Sequence, residues 1–172
     1  PVLYMPCYRL DGAIFTSQDA YGHTCTVIGT TWGSQGRSFD GLDDQITLGS
    51  AINSIKSALL WIYPDDNTSR SIMDFDVRTH SIEMDGSGNL TATGWNSPSF
   101  YVNTVNGAVA IAQSTWNFIV VSTATAFNGT TIVFGQEASF YDGKIGEACL
   151  YDRVLSAIEI QQNYQVTKWR YQ

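Results

Sequence analysis

Positive charge is scarce in this 172-residue chain: nine Lys and Arg stand against sixteen Asp and Glu, a formal net charge of −7. Nucleic acid and anionic membrane both attract basic surfaces, so this balance argues against either as a main partner. It is compatible with calcium, with neutral sugars and with plain solubility. No apolar run is long enough to read as a membrane span, so no membrane insertion is expected. No signal peptide stands at the start, and an opening Pro1 without Met reads as a processed product or an excerpt. Histidine is limited to His23 and His80, neither near a nucleophile motif. Gly-x-Ser-x-Gly, P-loop and Cys-x-x-Cys patterns are all missing, which removes the usual signatures of serine hydrolases, nucleotide hydrolases and thiol redox proteins. Cys7, Cys25 and Cys149 are an odd number, so at most one internal disulfide forms, and three buried thiols acting as small hydrophobes is the simpler reading.

What is present leans strongly to β structure. Fifteen Gly, 13% aromatic residues and abundant Thr and Ser fit a single all-β domain over residues 1–172, with ample material for a core. Ile46 and Leu48 alternate with Gln45 and Thr47, the pattern of a half-buried strand. Ala58 to Tyr63 is apolar on both faces, as a central strand covered on both sides would be. Val2 to Tyr8 contains Pro6, which confines it to an edge. Arg70 to Arg78 alternates, with Met73, Phe75 and Val77 on one face and Asp74, Asp76 and Arg78 on the other. Asp85-Gly-Ser-Gly-Asn89 reads as a hairpin turn between His80–Met84 and Leu90–Trp95. Gly29 to Gly36 reads as a loop, Ala108 to Ile111 as a short strand, and Ala124 to Gly129 as a connection between the Trp116–Thr123 and Thr131–Phe134 strands. Asp142-Gly143 has turn chemistry before an Ile145–Tyr151 strand. One helix is predicted. Ser156 caps it, Glu159 closes a capping box, and Leu155 and Ile160 form a hydrophobic staple.

Four segments, taken in order, resemble concanavalin A-like, laminin G-like jelly-roll domains: Gly36-Arg-Ser-Phe-Asp-Gly-Leu-Asp-Asp-Gln-Ile-Thr-Leu-Gly49, Leu59-Leu-Trp-Ile-Tyr-Pro64, Trp116 to Val121, and the closing stretch from Phe140 to Tyr164. The resemblance implies a two-sheet antiparallel jelly-roll sandwich with one short C-terminal helix. It also implies neighbouring terminal strands, where Cys7 and Cys149 would meet, and a trimmed sheet edge where relatives carry an added hairpin after the Trp116 strand. It implies a structural calcium ion as well. Asp19-Ala-Tyr-Gly22 matches the family's early ligand turn, and Glu147 stands beside Gly146, where relatives place the late Asp. With no late Asp in this chain, Asp19 reads equally well as an Asx turn. Asp43-Asp44 reads as shaping the turn before the Ile46 strand.

The chemistry is then weighed residue by residue. Jelly-roll glucanases pair carboxylates on one strand. Here Glu83-Met-Asp85 supplies only half of that motif, with Gly88 in place of the last Glu, and Asp74 and Asp76 read as a solvated face. The chain is therefore expected not to be an enzyme. Sugars are gripped by aromatic faces with polar groups on the hydroxyls. Trp95, Asn96 and Tyr101 form the first candidate cluster, Trp32 in a Gly-rich loop the second, and Tyr141 the third. Trp61 and Trp116 read as core, and Trp169 and Tyr171 as docking the C-terminus. The expected function is a non-catalytic carbohydrate-recognition or adhesion module. Its partner would be a glycan, and its place extracellular, on a cell surface or on a virion. A self-assembling or decorating domain of a virion, filament or surface layer is the alternative, and a glycan-cleaving enzyme the third reading.

Overall fold

The computed structural model describes all residues from Pro1 to Gln172. Fifteen strands come in chain order. The first six are β1 (Leu3–Pro6), β2 (Ile14–Thr16), β3 (Thr24–Ile28), β4 (Thr31–Gly33), β5 (Gly36–Asp40) and β6 (Gln45–Leu48). Next are β7 (Ile52–Pro64), β8 (Arg70–Asp74), β9 (Ser81–Met84), β10 (Leu90–Thr93) and β11 (Ser99–Val102). The last are β12 (Val105–Asn106), β13 (Asn117–Gly129), β14 (Val133–Phe134) and β15 (Asp142–Tyr151), followed by helix α1 (Ala157–Thr167) and a 3-10 turn over Lys168–Arg170. The strands form two antiparallel sheets. An eight-stranded sheet runs β12-β11-β13-β7-β15-β5-β4, with β1 on the second half of β15, and a seven-stranded sheet runs β10-β9-β8-β14-β6-β3-β2. This is the all-β, two-sheet sandwich with one short C-terminal helix that the sequence predicts. No helix is long and apolar enough to cross a membrane.

The long strand β7 shows why the sandwich forms. Its alternate residues Ala58, Leu60 and Ile62 face the seven-stranded sheet and join a core of 31 buried residues. Leu59 and Trp61 face the other way, into a second core of nine residues beneath α1. A strand apolar on both faces needs cover on both faces, and the helix supplies the second. The helix starts as the sequence dictates. Ser156 accepts from the Glu159 N–H, Glu159 accepts from the Ser156 N–H, and the staple residues Leu155 and Ile160 are both buried. Each sheet ends on short strands, two to four residues long at β12, β4, β10 and β2, which limits pairing with other chains along those edges.

Several local expectations are corrected. Val77 is exposed and takes a φ of 55°, while Asp74 is buried. A bulge between Ser71 and Met73 shifts the alternation, and Asp74 and Asp76 close the turn by accepting from the N–H groups of Arg78 and His80. The Gly29–Gly36 loop contains β4, so Trp32 sits on an edge strand. Ala108–Ile111 forms only an isolated bridge at Ala110, and Ala124–Gly129 continues β13 through two register shifts instead of leaving the sheet. Asp142-Gly143 opens β15 and makes no turn. Gly143 has a φ of 140°, and a Cβ there would lie 2.1 Å from the Tyr63 carbonyl oxygen, so the position demands glycine for its close strand packing. All three cysteines are free and buried. Cys7 lies in the inter-sheet core with Cys25, whereas Cys149 points into the second core, so β15 separates the two residues expected to meet. Burial pushes the Cys7 and Cys25 thiols up to about 12, which suits inert core residues.

Candidate functional site

The residues expected to grip a sugar do not converge. Trp95 is 5% exposed and packs edge-on against Phe75 and Phe127 in the inter-sheet core, where its Nε1 has no partner. Tyr141 is fully buried against Phe39. Neither ring offers a face to a ligand, because the strand ends that carry them turn these side chains between the sheets. Tyr101 is half-buried against the second core on the outer face of the larger sheet. Asn96 is exposed and bonds Thr125, and Trp32 is half-exposed at the β4 edge.

Asp19 and Glu147, the expected calcium ligands, each have protein partners of their own. Asp19 accepts from the backbone N–H groups of Tyr4, Tyr21 and Gly22, so its carboxylate is engaged as an Asx turn and Gly22 serves as a donor. Glu147 has a different set of neighbours, described below. Asp40, Asp43 and Asp44 bring carboxylate oxygens within 4.8 Å of one another. Their contacts are those of a turn, however: Asp44 accepts from the Asp40 N–H and Asp40 from the Leu42 N–H. That is the turn-shaping role the sequence suggests for Asp43-Asp44.

Functional groups do converge in a recess of about 380 Å³ under the C-terminal helix. Strand β1 and the turn after it supply Tyr4, Tyr8 and Arg9, and β15 supplies Glu147. Helix α1 supplies Asn163, Val166 and Thr167, and the 3-10 turn supplies Trp169 and Arg170. Pairing of Tyr4 with Cys149 and of Pro6 with Glu147 makes Tyr4 and Glu147 diagonal neighbours on the outer face of the sheet. The helical side is held by Trp61, whose Nε1 donates to Thr167 Oγ1 at 2.8 Å, and by Gln35, whose Nε2 donates to the Arg170 carbonyl at 2.7 Å.

Aromatic rings frame the recess. The Arg170 guanidinium lies 3.5 Å from the centre of the Tyr8 ring and 4.4 Å from that of Trp169. Trp169 donates from Nε1 to the Val166 carbonyl and is still 67% exposed. The Tyr4 and Tyr8 hydroxyls are 3.5 Å apart. Asn163 Nδ2 donates to the Glu159 carbonyl. Glu147 is 6% exposed. Burial pushes its carboxyl above the usual range, and the Arg170 charge, the Tyr4 hydroxyl and the Arg9 charge pull the other way. Burial, the bond to Tyr8 and the Glu147 charge raise Tyr4 as well. Tyr171, beside the recess, keeps a buried hydroxyl with no partner.

A carboxylate raised by burial costs stability when ionised. Its cost is absent below the unfolded pKa near 4.5, grows as pH rises through that value, and is complete above the higher folded value. Glu147→Gln is therefore expected to raise stability at pH 7 and to change it little at pH 4. Urea titrations at the two pH values check this, and an equal loss at both would contradict it.

Of these lining residues, only Glu147 and Trp169 drew attention in the sequence, and for other roles. The available signal was the tail Lys168-Trp-Arg-Tyr171, which sets two cations among aromatics in a chain with few cations.

Fold and recess together define a two-sheet β-sandwich protein with a polar, aromatic-framed pocket at one sheet face. No family model and no curated protein matches the sequence. Among solved structures, a Trypanosoma rangeli sialidase in complex with sialic acid is similar, with a TM-score of 0.66 at 12% identity, covering 96% of this chain. The chain spans about a third (33%) of the length of that sialidase chain. At this identity the match establishes the fold. It also corrects the expectation that the chain is not an enzyme: an enzyme contains this fold, and the incomplete motif at Glu83–Asp85 is no ground for excluding catalysis.

Proposed function

We propose that residues 1–172 form one concanavalin A-like, laminin G-like jelly-roll domain that recognises glycans in the recess under its C-terminal helix. The observation that supports this is the convergence of Trp169, Tyr8, Tyr4, Glu147 and Asn163 from three distant stretches of the chain on one recess. An exposed indole offers a flat apolar surface to the C–H face of a pyranose ring, while carboxylate, amide and phenol groups bond its hydroxyls. The fold likeness to a sialidase in complex with sialic acid is in keeping with carbohydrate chemistry. A glycan partner fits a place outside the cell, on a cell surface or on a virion.

Trp169→Ala tests the reading without threatening the fold, because the ring is largely exposed. On a broad glycan array the wild-type protein should bind, and the variant should lose at least about tenfold in affinity, as expected when an aromatic anchor is truncated. Melting temperature should stay within a few degrees, since surface truncations change stability by about 0.5 kcal/mol. Undiminished binding by the variant would remove the recess as the sugar site.

A further inference from the structure

We infer that this recess selects a saccharide carrying an oxyanion, a carboxylate or a sulfate, held by Arg170 and Arg9; the assignment rests on the glycan reading above. The arginines of the chain divide sharply. Arg37 donates to backbone carbonyls, Arg70 pairs with Asp66 and Asp142, Arg78 with Glu137, and Arg153 with Glu159. Arg9 and Arg170 alone make no side-chain hydrogen bond or ion pair with the protein, and both line the same recess.

Arg170 is not loose. Tyr8 and Trp169 both lie against its guanidinium, at 3.5 and 4.4 Å from ring centre to Cζ. Such contacts engage the flat face of the group and leave its N–H edge unsatisfied. A guanidinium edge presents parallel donors matched to the two oxygens of a carboxylate or sulfate, and holding it between rings removes much of the ordering cost of binding. Arg9 lies 5.4 Å from the centre of the same Tyr8 ring. A neutral sugar would leave the charge of both groups unanswered.

Glu147 lies beyond ion-pair distance of either arginine, and its ionised form is itself disfavoured by burial, so it neutralises this edge only in part. The result is a cationic recess on a chain of net charge −7, a local reversal of sign that steers an anion to this spot.

The test uses the intact chain, titrated calorimetrically with saccharides of matched backbone in three forms: neutral, carboxylated and sulfated. At low ionic strength one acidic form should bind at least about tenfold more tightly than its neutral counterpart, the gain expected of a charge-assisted bidentate contact. The preference should weaken with added salt and disappear in Arg170→Gln. The carboxylated and sulfated arms decide which oxyanion is recognised. Arg9→Gln, at an exposed position, carries the test if Arg170→Gln does not fold. Equal binding of neutral and acidic forms, abolished by Trp169→Ala, would overturn the anion assignment and leave the glycan reading standing. An acidic preference retained in both arginine variants would overturn the assignment to this recess. Absence of binding to every acidic form by folded protein would overturn it outright.

Discussion

Arg37→Leu is expected to lower folding stability by about 3 kcal/mol. Arg37 is 2% exposed and has no carboxylate partner. Its Nε and Nη2 donate to the Leu10 carbonyl at 3.0 and 2.6 Å, and Nη2 also donates to the Gly12 carbonyl at 2.7 Å. Nη1 reaches the Thr30 carbonyl at 3.3 Å and its hydroxyl at 3.4 Å. No other hydrogen bond within the protein serves the Leu10 and Gly12 carbonyls. One side chain thus satisfies the irregular segment between β1 and β2 and the turn before β4. Desolvation of the guanidinium lowers its pKa, so the charge itself is a cost, and its removal offsets part of the loss. The orphaned Leu10 carbonyl outweighs that gain, because leucine leaves it buried without a donor, whereas the exposed Gly12 carbonyl turns to water. Arg37→Lys should recover little, since an ammonium cannot span three carbonyls spread around a planar fork. Urea denaturation measures the difference, and a loss below about 1 kcal/mol for Arg37→Leu would show that water replaces the arginine at no great cost.

Trp61→Ala should cost about 3–5 kcal/mol, the range for truncating a fully buried aromatic side chain. Trp61 is 2% exposed and stacks on Tyr171 at 4.5 Å and on Tyr164 at 5.6 Å between ring centres, with Phe118 tilted against it at 5.2 Å. Its hydrogen bond to Thr167 ties the end of α1 to the sheet. Only Ile160 of the helix itself is buried, so this aromatic cluster is the main docking contact. The loss should therefore appear first as undocking of α1, with increased hydrogen exchange over residues 157–171 before the sheets unfold. The glycan binding proposed for the recess should vanish with it, because Asn163, Trp169 and Arg170 travel with the helix. Trp61→Phe should retain most of the stacking and lose about 1 kcal/mol through the missing hydrogen bond to Thr167. A helix that stays docked in the alanine variant, with exchange unchanged, would contradict this account.

The two effects differ in how visible they are in the sequence. Trp61 lies in an apolar run that reads as core at sight. Arg37 does not: a lone cation beside Gly36 carries no local signal of burial, and only the path of residues 10–12 across it creates that burial.

The same division runs through the whole chain. The sequence by itself determined what depends on neighbours a few residues apart. The Ser156–Glu159 capping box, the Leu155–Ile160 staple, the Asp85–Asn89 turn, the alternation of β6 and the double-faced β7 are all of this kind, because caps, turns and periodicity are short-range physics. Together they sufficed for a two-sheet all-β sandwich with one helix. Tertiary structure alone decided which aromatics meet solvent. Trp95 and Tyr141 turn inward and Trp169 outward because bulges, register and helix docking set side-chain direction, and none of these is local. It also decided the recess, whose walls come from residues 4–9, 147 and 163–170. They meet only because β1 pairs with the second half of β15 and the Trp61 cluster draws α1 down over both.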